Sequence, residues 1–263
     1  MMLFTTLLIA LAPLFAASGD TPSAEEILRK ALQRAEWAEE QNFRGRYRFQ
    51  YLTSNEKLNG KGQVREKETR LYENIPVNGS AFERLLEKDG RPLTEKERLK
   101  ERRREAEFRQ KLKRGKPPEE DGNRRMVFDE ELASRFRFEL QSREQANGLD
   151  CWVLSFKPRE GDLPVRRRID RTLNKSAGKI WVDTETDEIV RVHFKLIEKV
   201  RLWWGMIGSI SQLEGTVDRS RIASNDWFPT HVEFYLKGRI LFNSLHFRRK
   251  VRWSGFEEAR KSE

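Results

Sequence analysis

The sequence predicts a mixed α and β protein (α+β) that is mostly antiparallel β, with one strongly curved sheet and few helices. Two observations carry this prediction. Segments with alternating or β-rich patterns follow one another through the second half of the chain, and short turn sequences such as Asn147-Gly148 separate them. Successive strands joined by short turns form an antiparallel meander, and no linker divides the strands. We therefore expect residues 19–263 to form a single domain.

Residues 1–18 carry no charge and form a short apolar stretch that is typical of a secretory signal peptide. The stretch is shorter than the roughly 20 residues of a membrane-spanning helix, and Ala16, Ala17 and Ser18 are small residues of the kind found at a cleavage site. This predicts export across the inner membrane and a soluble periplasmic protein after cleavage near Ser18. The alternative is an uncleaved segment that anchors the protein in the inner membrane.

The first helix is predicted over residues 23–41, where Ile27, Ala31 and Ala38 recur at helical spacing. The period then changes to two, because aromatic residues from Phe43 to Tyr51 alternate with arginines, as in a half-buried antiparallel strand. Turn dipeptides predict that the chain returns as a second strand and then forms a further short element. These two segments are residues 61–77 and residues 82–86.

Residues 94–125 are nearly all charged, with few apolar positions. Thr94 and Glu97 have the spacing of a capping box, and Gly115 with Pro117 would end a helix. This segment is therefore predicted to be an exposed helical excursion.

The second half of the chain shows seven further strand patterns, with turns at 147–148, 176–178 and 186–187. The predicted strands are residues 136–140, 151–156, 179–183, 188–201, 212–222, 227–236 and 239–253.

The formal net charge of +10 is concentrated in two segments. Residues 95–125 hold thirteen Lys or Arg against eight Asp or Glu, and residues 157–179 hold eight against three, so each contributes +5. Export makes nucleic acid an improbable partner, so none is expected. Basic segments outside the inner membrane would meet an anionic membrane surface or an acidic envelope protein, unless they are simply solvated. Cys151 is the only cysteine, so no intramolecular disulfide can form, and its apolar surroundings predict a buried residue.

One part of the chain resembles a known family. Residues 179–196 contain a Trp181-Val182-Asp183 strand, a polar turn and a Val-rich strand, which is similar to the LolA/LolB-like periplasmic lipoprotein carriers, or outer-membrane lipoprotein-sorting proteins. The signal peptide, the first helix and the strand at 227–236 stand in the matching order. The resemblance implies an open half-barrel sheet with covering helices and an apolar cavity for acyl chains. The charged segment at 94–125 departs from that pattern, and the missing lipobox cysteine argues against the membrane-anchored branch.

Two sets of residues are candidates for binding. The first set is expected to line the ligand cavity, although several of its members would serve equally well in the core. Its residues are Tyr47, Phe49, Trp152, Phe156, Trp181, Phe194, Trp203, Trp204, Met206, Ile207 and Phe234. The second set is suited to an anionic headgroup, because guanidinium groups form bidentate hydrogen bonds with phosphates. The alternative is that these residues form a solvated loop. They are Arg166, Arg167, Arg168 and Arg171.

No catalytic motif, metal site or cofactor site is predicted, so the protein is not expected to be an enzyme. The three histidines stand singly on predicted strands, without the spacing of a zinc site. The function expected is periplasmic binding or transfer of a lipid or an acylated protein. The alternative is an envelope-stress sensor or protein-interaction module on the same fold, for which the 94–125 segment would be the docking arm.

Overall fold

The computed structural model describes residues 21–115, 128–202, 208–241 and 243–259. Several sequence predictions lie outside these residues. They are the signal peptide at 1–18, the last part of the charged segment, and the cavity candidates Trp203, Trp204, Met206 and Ile207. None of the helices in the described ranges is long and apolar enough to cross a membrane.

Three of the five described helices, α1, α3 and α4, begin at residues whose side chains satisfy free backbone N–H groups. Ser23 Oγ accepts a hydrogen bond from the Glu26 N–H at 3.1 Å, and the first helix follows as predicted, with Ile27, Ala31 and Ala38 buried along one stripe. The helices are α1 (Ala24–Glu40), α2 (Phe43–Arg46), α3 (Glu95–Lys113), α4 (Glu130–Ser134) and α5 (Asp170–Leu173).

The described residues contain twelve strands in one open antiparallel sheet, which confirms the predicted fold class. The strands are β1 (Tyr47–Leu58), β2 (Val64–Val77), β3 (Ser80–Lys88), β4 (Arg91–Pro92), β5 (Phe136–Ala146), β6 (Leu149–Pro158), β7 (Ser176–Asp183), β8 (Ile189–Leu196), β9 (Val200–Leu202), β10 (Gly208–Arg221), β11 (Trp227–Ile240) and β12 (Asn243–Glu258).

The order of the strands departs from a simple meander at one place. The sheet runs β4-β3-β2-β1-β12-β11-β10-β8-β7-β6-β5, with β9 pairing to β10. The last strand, β12, therefore lies against the first strand, β1, and Tyr51 stands opposite Trp253 in that pair. This single pairing joins the N-terminal strands to the rest of the sheet.

The two faces of the sheet carry different helices. Leu154 and Ile180 stand side by side on β6 and β7 and pack under Ile27 of α1, so we call this side the α1 face. Phe49 of β1 packs with α1, and Asn74 of β2 stands beside it in the pairing, so both lie on the α1 face. The next residue of β2, Ile75, points to the other face. There Ile75 packs with Phe82 and Phe108. Because Phe108 belongs to α3, the two long helices lie on opposite faces.

The predicted capping box of α3 is present, and the helix packs on β3. Thr94 Oγ1 accepts from the Glu97 N–H, and the Glu97 carboxylate accepts from the Thr94 N–H at 3.0 Å. The ring centroids of Phe82 and Phe108 lie 5.3 Å apart, and Arg84 and Glu105 form an ion pair at 2.5 Å. One side of α3 is thus held by the sheet, while its charged outer side is exposed.

Several local predictions were wrong. The gap expected between the strands at 227–236 and 239–253 lies inside β11, and the strand expected at 188–201 is two strands, β8 and β9. The strand expected from Phe43 begins only at Tyr47, because Asn42 has a positive φ of 48° and starts the helical turn α2. A Cβ on Gly45 in this turn would overlap the carbonyl oxygen of Gly79, so glycine is required there. The turn expected at 176–178 is instead the start of β7, with Gly178 paired to both neighbouring strands.

Candidate functional site

A line of aromatic rings crosses the α1 face from strand to strand. Neighbouring strands pair so that six residues fall in register, namely Phe138, Phe156, Gly178, Phe194, Gly215 and Phe234 on β5, β6, β7, β8, β10 and β11. We call its four phenylalanines the aromatic row. All four are half-buried, and the line spans about 24 Å at the usual spacing between strands.

The two glycines in this line leave room for neighbouring phenylalanine rings. A Cβ at Gly215 would lie 2.5 Å from the ring of Phe194 and 2.7 Å from the ring of Phe234, whose centroids are 5.9 Å apart. A Cβ at Gly178 would overlap the carbonyl oxygen of His193 and approach the Phe156 ring. Glycine inside a strand commonly marks such a close approach. Each of the two glycines therefore makes room for a ring on the strand beside it.

The aromatic row borders the hydrophobic core under α1. The adjacent line of residues is aliphatic, with Leu154 and Ile180 almost fully buried and Val192 beside them. At its other end the aromatic row meets a cation, because Phe234 stands opposite the exposed Arg249 on β12. The row therefore extends the apolar core toward the protein surface.

A basic cleft of about 570 Å³ opens beyond the ends of β7 and β8. Ser176 and Leu196 pair two residues further along β7 and β8 than Gly178 and Phe194 do. The basic cleft lies beyond this pair. The cleft is lined by Val165, Arg171, Asn174, Lys175, Glu198, Lys199, Val200 and Arg201.

A buried ion pair shapes the loop on one side of the basic cleft. Arg135 is 2% exposed, donates to the Pro164 carbonyl at 2.7 Å and lies 3.2 Å from the fully buried Asp170. The Asp170 carboxylate also accepts from the N–H groups of Arg166 and Arg167, each at 2.9 Å. Burial alone would raise the pKa of Asp170, but these backbone hydrogen bonds and the charge of Arg135 hold it below its usual value. Asp170 is therefore an anion that organises this loop.

The cations around the basic cleft differ in whether they have partners. Lys175 Nζ lies 3.1 Å from Glu198, and Arg167 Nε lies 3.2 Å from Asp170. Four other cations have side chains that make no hydrogen bond or ion pair with any residue that the structure describes, and they are Arg168, Arg171, Lys199 and Arg201. The site thus presents uncompensated positive charge beside an apolar surface.

The structure brings together only some of the cavity candidates. Phe156, Phe194 and Phe234 are in the aromatic row, and Trp152 lies on the same face under α1. Tyr47 and Phe49 are 3% and 1% exposed and pack in the core with Phe228.

Trp181 lies on the opposite face from the aromatic row. It follows Ile180 on β7 and packs with Cys151 and Trp227. Its indole Nε1 donates to Glu144 at 3.4 Å.

The four candidate arginines lie on one loop, but only Arg171 lines the basic cleft. Arg166 is 3.9 Å from Glu131, and Arg168 is exposed. Sequence reasoning missed the glycines of the aromatic line, Phe138 and the cations Lys175, Lys199 and Arg201. The glycines inside strand patterns were the available signal.

The described residues offer little for catalysis. They contain no group of His, Cys, Asp and Glu side chains suited to a metal ion. Burial raises the pKa of the Cys151 thiol to about 11, which keeps it protonated near neutral pH.

A buried ion triad links α1 to the sheet. Glu188 is 1% exposed and accepts from Arg34 Nε of α1 at 2.7 Å and from Arg219 Nη1 of β10. Arg34 also donates to the Asn225 carbonyl at 2.6 Å and stacks 3.9 Å from the centroid of the Trp37 ring. These contacts fix the helix that covers the α1 face.

Tyr47 provides a test of the buried contacts at the other end of α1. Its hydroxyl donates to Asp226 at 2.5 Å, and burial followed by this hydrogen bond raises its pKa from 10.0 to about 12. A raised pKa means that folding favours the protonated phenol, so its contribution is complete below pH 10 and is lost as the pH rises through about 12. We expect Tyr47→Phe to flatten the fall in stability across this window, measured by urea unfolding at a series of pH values. Coincident profiles of the two proteins would contradict this.

Comparison with known proteins gives structural matches only. No family model matches the sequence, and no curated protein matches it. A domain described as an outer membrane lipoprotein-sorting protein, from Vibrio parahaemolyticus, matches over 90% of this chain and 95% of its own, with 12% identity and a TM-score of 0.39. A LolA superfamily protein from Nitrosomonas europaea matches over 92% and 96%, with 12% identity and a TM-score of 0.36.

A third match is a structure of the MucA/MucB complex from Pseudomonas aeruginosa, over 84% of this chain and 93% of the other, with 10% identity and a TM-score of 0.21. These three solved structures are among those to which the chain is similar.

Proposed function

We propose that this protein binds an amphipathic anionic lipid or an acylated protein in the cell envelope and carries it without covalent chemistry. The observation that supports this most is the position of the basic cleft beyond the ends of β7 and β8, the two strands that carry Gly178 and Phe194. An acyl chain would lie along the half-buried rings, and burial of each methylene there is worth about 0.8 kcal/mol. The headgroup would meet Arg171, Lys175, Lys199 and Arg201, which line the basic cleft.

Lipid extraction tests the proposal directly. The protein is purified without detergent, denatured and extracted, and the extract is analysed by mass spectrometry. We expect a co-purified anionic lipid or an acyl chain. Recovery of no lipid, together with no binding of a fluorescent fatty acid by the purified protein, would overturn the proposal.

Substitution of the aromatic row tests which surface holds the acyl chain. We expect Phe194→Ala and Phe234→Ala each to weaken binding of a fluorescent fatty acid by about tenfold, since each removes one apolar side chain from the contact. Trp181→Ala is the matched control, because this half-buried aromatic residue lies on the opposite face. Thermal unfolding of each variant checks that the fold is kept. Equal losses in all three variants would mean that the aromatic row is not the binding surface.

A protein-binding function is the second candidate, and the outer side of α3 favours it. Leu99 is 45% exposed there, and Arg102, Arg103 and Lys100 are exposed beside it. If α3 is the docking arm, crosslinking from these positions should capture an envelope protein from cells. Changing them should abolish that complex without changing fatty-acid binding.

A further inference from the structure

Five apolar side chains are exposed at the end of the sheet that carries the basic cleft. Their exposed fractions lie between 45% and 53%, and they are Val165, Ile169, Ile197, Ile240 and Leu241. The other large apolar residues exposed in the described chain are spread over β1, β2 and α3, and they are Leu52, Val64 and Leu99. Exposed apolar surface is therefore concentrated at one end, which we call the docking end and define by those five residues.

Strand pairing places parts of β9, β10 and β11 side by side at the docking end. Leu202 of β9 pairs with Gly208 of β10, and Gly208 pairs with Ile240 of β11, so these three positions span about 10 Å. Val200 and Arg201 of β9 itself also line the basic cleft, together with Val165. Ile197 is held there by its N–H, which donates to the Lys175 carbonyl at 2.8 Å.

Leu241 is the most unusual of these residues. It lies in the two-residue turn between β11 and β12, where Ile240 pairs with Asn243, and it has a positive φ of 52°. Such turns normally take Asn, Asp or Gly, because a leucine with positive φ is strained. All the other non-glycine residues with positive φ in the described chain are Asn or Asp. Leu241 is therefore unfavourable in water for two reasons, because its backbone is strained and its apolar side chain is exposed. This points to a role outside folding.

The charges at the docking end favour an anionic surface. Residues 159–175 contain six Lys or Arg and three Asp or Glu, and one of those acids, Asp170, is buried against Arg135. Residues 197–201 add Lys199 and Arg201, while their single acid, Glu198, is paired with Lys175. The cations without partners, which include Arg168 and Arg201, therefore lie among the apolar tips.

We propose that the docking end binds an anionic lipid bilayer, with the apolar tips in the interface and the cations on the lipid phosphates. The tips come from separate loops with cations between them, which suits a deformable interface, since a protein partner would require a single packed apolar patch. Arginine side chains bond phosphate groups bidentately. This surface is distinct from the aromatic row, so it can bind the membrane while a ligand is carried.

The substitution Leu241→Asn separates membrane binding from stability. Binding is measured by flotation with vesicles of phosphatidylglycerol and phosphatidylcholine in equal amounts, using the same N-terminus in every variant. We expect about tenfold weaker binding, because one apolar tip is lost, and a Tm about 2 to 4 °C higher, because asparagine tolerates a positive φ. Leu99→Asn is the control, since Leu99 is as exposed but lies on α3, and it should bind vesicles like the unchanged protein.

Charge substitutions and a site-specific probe complete the test. We expect Arg168→Ser, outside the basic cleft, to weaken binding to these vesicles about fivefold, and Arg103→Ser on α3 to leave it unchanged. An environment-sensitive dye on Leu241→Cys should shift to the blue on anionic vesicles, whereas a dye on Leu99→Cys should not. Unchanged binding of Leu241→Asn, or equal and salt-independent binding to pure phosphatidylcholine vesicles, would overturn the proposal. Fatty-acid binding should be unaffected in these variants, so failure here is distinguishable from failure of the carrier function.

Discussion

Replacing Glu188 with alanine is expected to lower the free energy of unfolding by about 3 to 5 kcal/mol. Glu188 lies buried between Arg34 of α1 and Arg219 of β10, and these two guanidinium groups are themselves largely shielded from water. Removing the carboxylate leaves two positive charges close together without their shared partner. The loss comes mainly from these uncompensated charges, since an intact buried ion pair by itself adds little net stability.

Urea unfolding measures this loss, and Glu185→Ala is the matched control. Glu185 lies in the same β7–β8 turn but is exposed, so its removal should change the free energy by less than about 0.5 kcal/mol. Amide hydrogen exchange should also become faster in α1 in Glu188→Ala, because the helix loses its anchor to the sheet. If Glu188→Ala were as stable as the unchanged protein, the triad would not be what holds α1.

Leu154→Ala is expected to cost about 3 to 5 kcal/mol, because it opens a cavity between α1 and the sheet. Leu154 has no exposed surface, and it packs with Ile27, Ala31 and Ile180. Backbone pairing on both sides of β6 limits how far the structure can relax into the space. The free energy of unfolding by urea gives the loss directly.

The control for Leu154 is Leu52→Ala. Leu52 also lies in the middle of a strand, but 44% of it is exposed, so little packing is lost and the cost should stay below about 1 kcal/mol. Similar losses in the two variants would show that the effect comes from the strand position and not from burial.

Local sequence signals predicted the elements well. The helix start at Ser23 and the capping box of α3 are short-range hydrogen-bond patterns, so they can be read from neighbouring residues. The alternation of β1 was visible for the same reason. The error at Gly178 has a physical cause, because glycine is frequent in turns but also occurs in strands where another group comes close.

The candidate site could not be predicted from any single segment of the sequence, because it depends on how distant strands pair. The aromatic row exists because the register of six strands aligns Phe138, Phe156, Phe194 and Phe234, and register is set by pairs far apart in the chain. Trp181 and Phe156 looked alike in the sequence, yet strand pairing places them on opposite faces. The burial of Glu188 could not be predicted either, since its two partners lie 154 and 31 residues away.

Because β12 pairs with β1, the sheet is completed only when residues 243–258 are in place. Arg46 and Glu258, which form an ion pair at this junction, are 212 residues apart. Pairing over such a separation makes folding slow, because a long loop must close before the contact stabilises anything. Until β12 is available, β1 has no partner on that side, and its edge is open to pairing with other chains. The completed sheet therefore depends on residues 243–258, which are synthesised after all the other described strands.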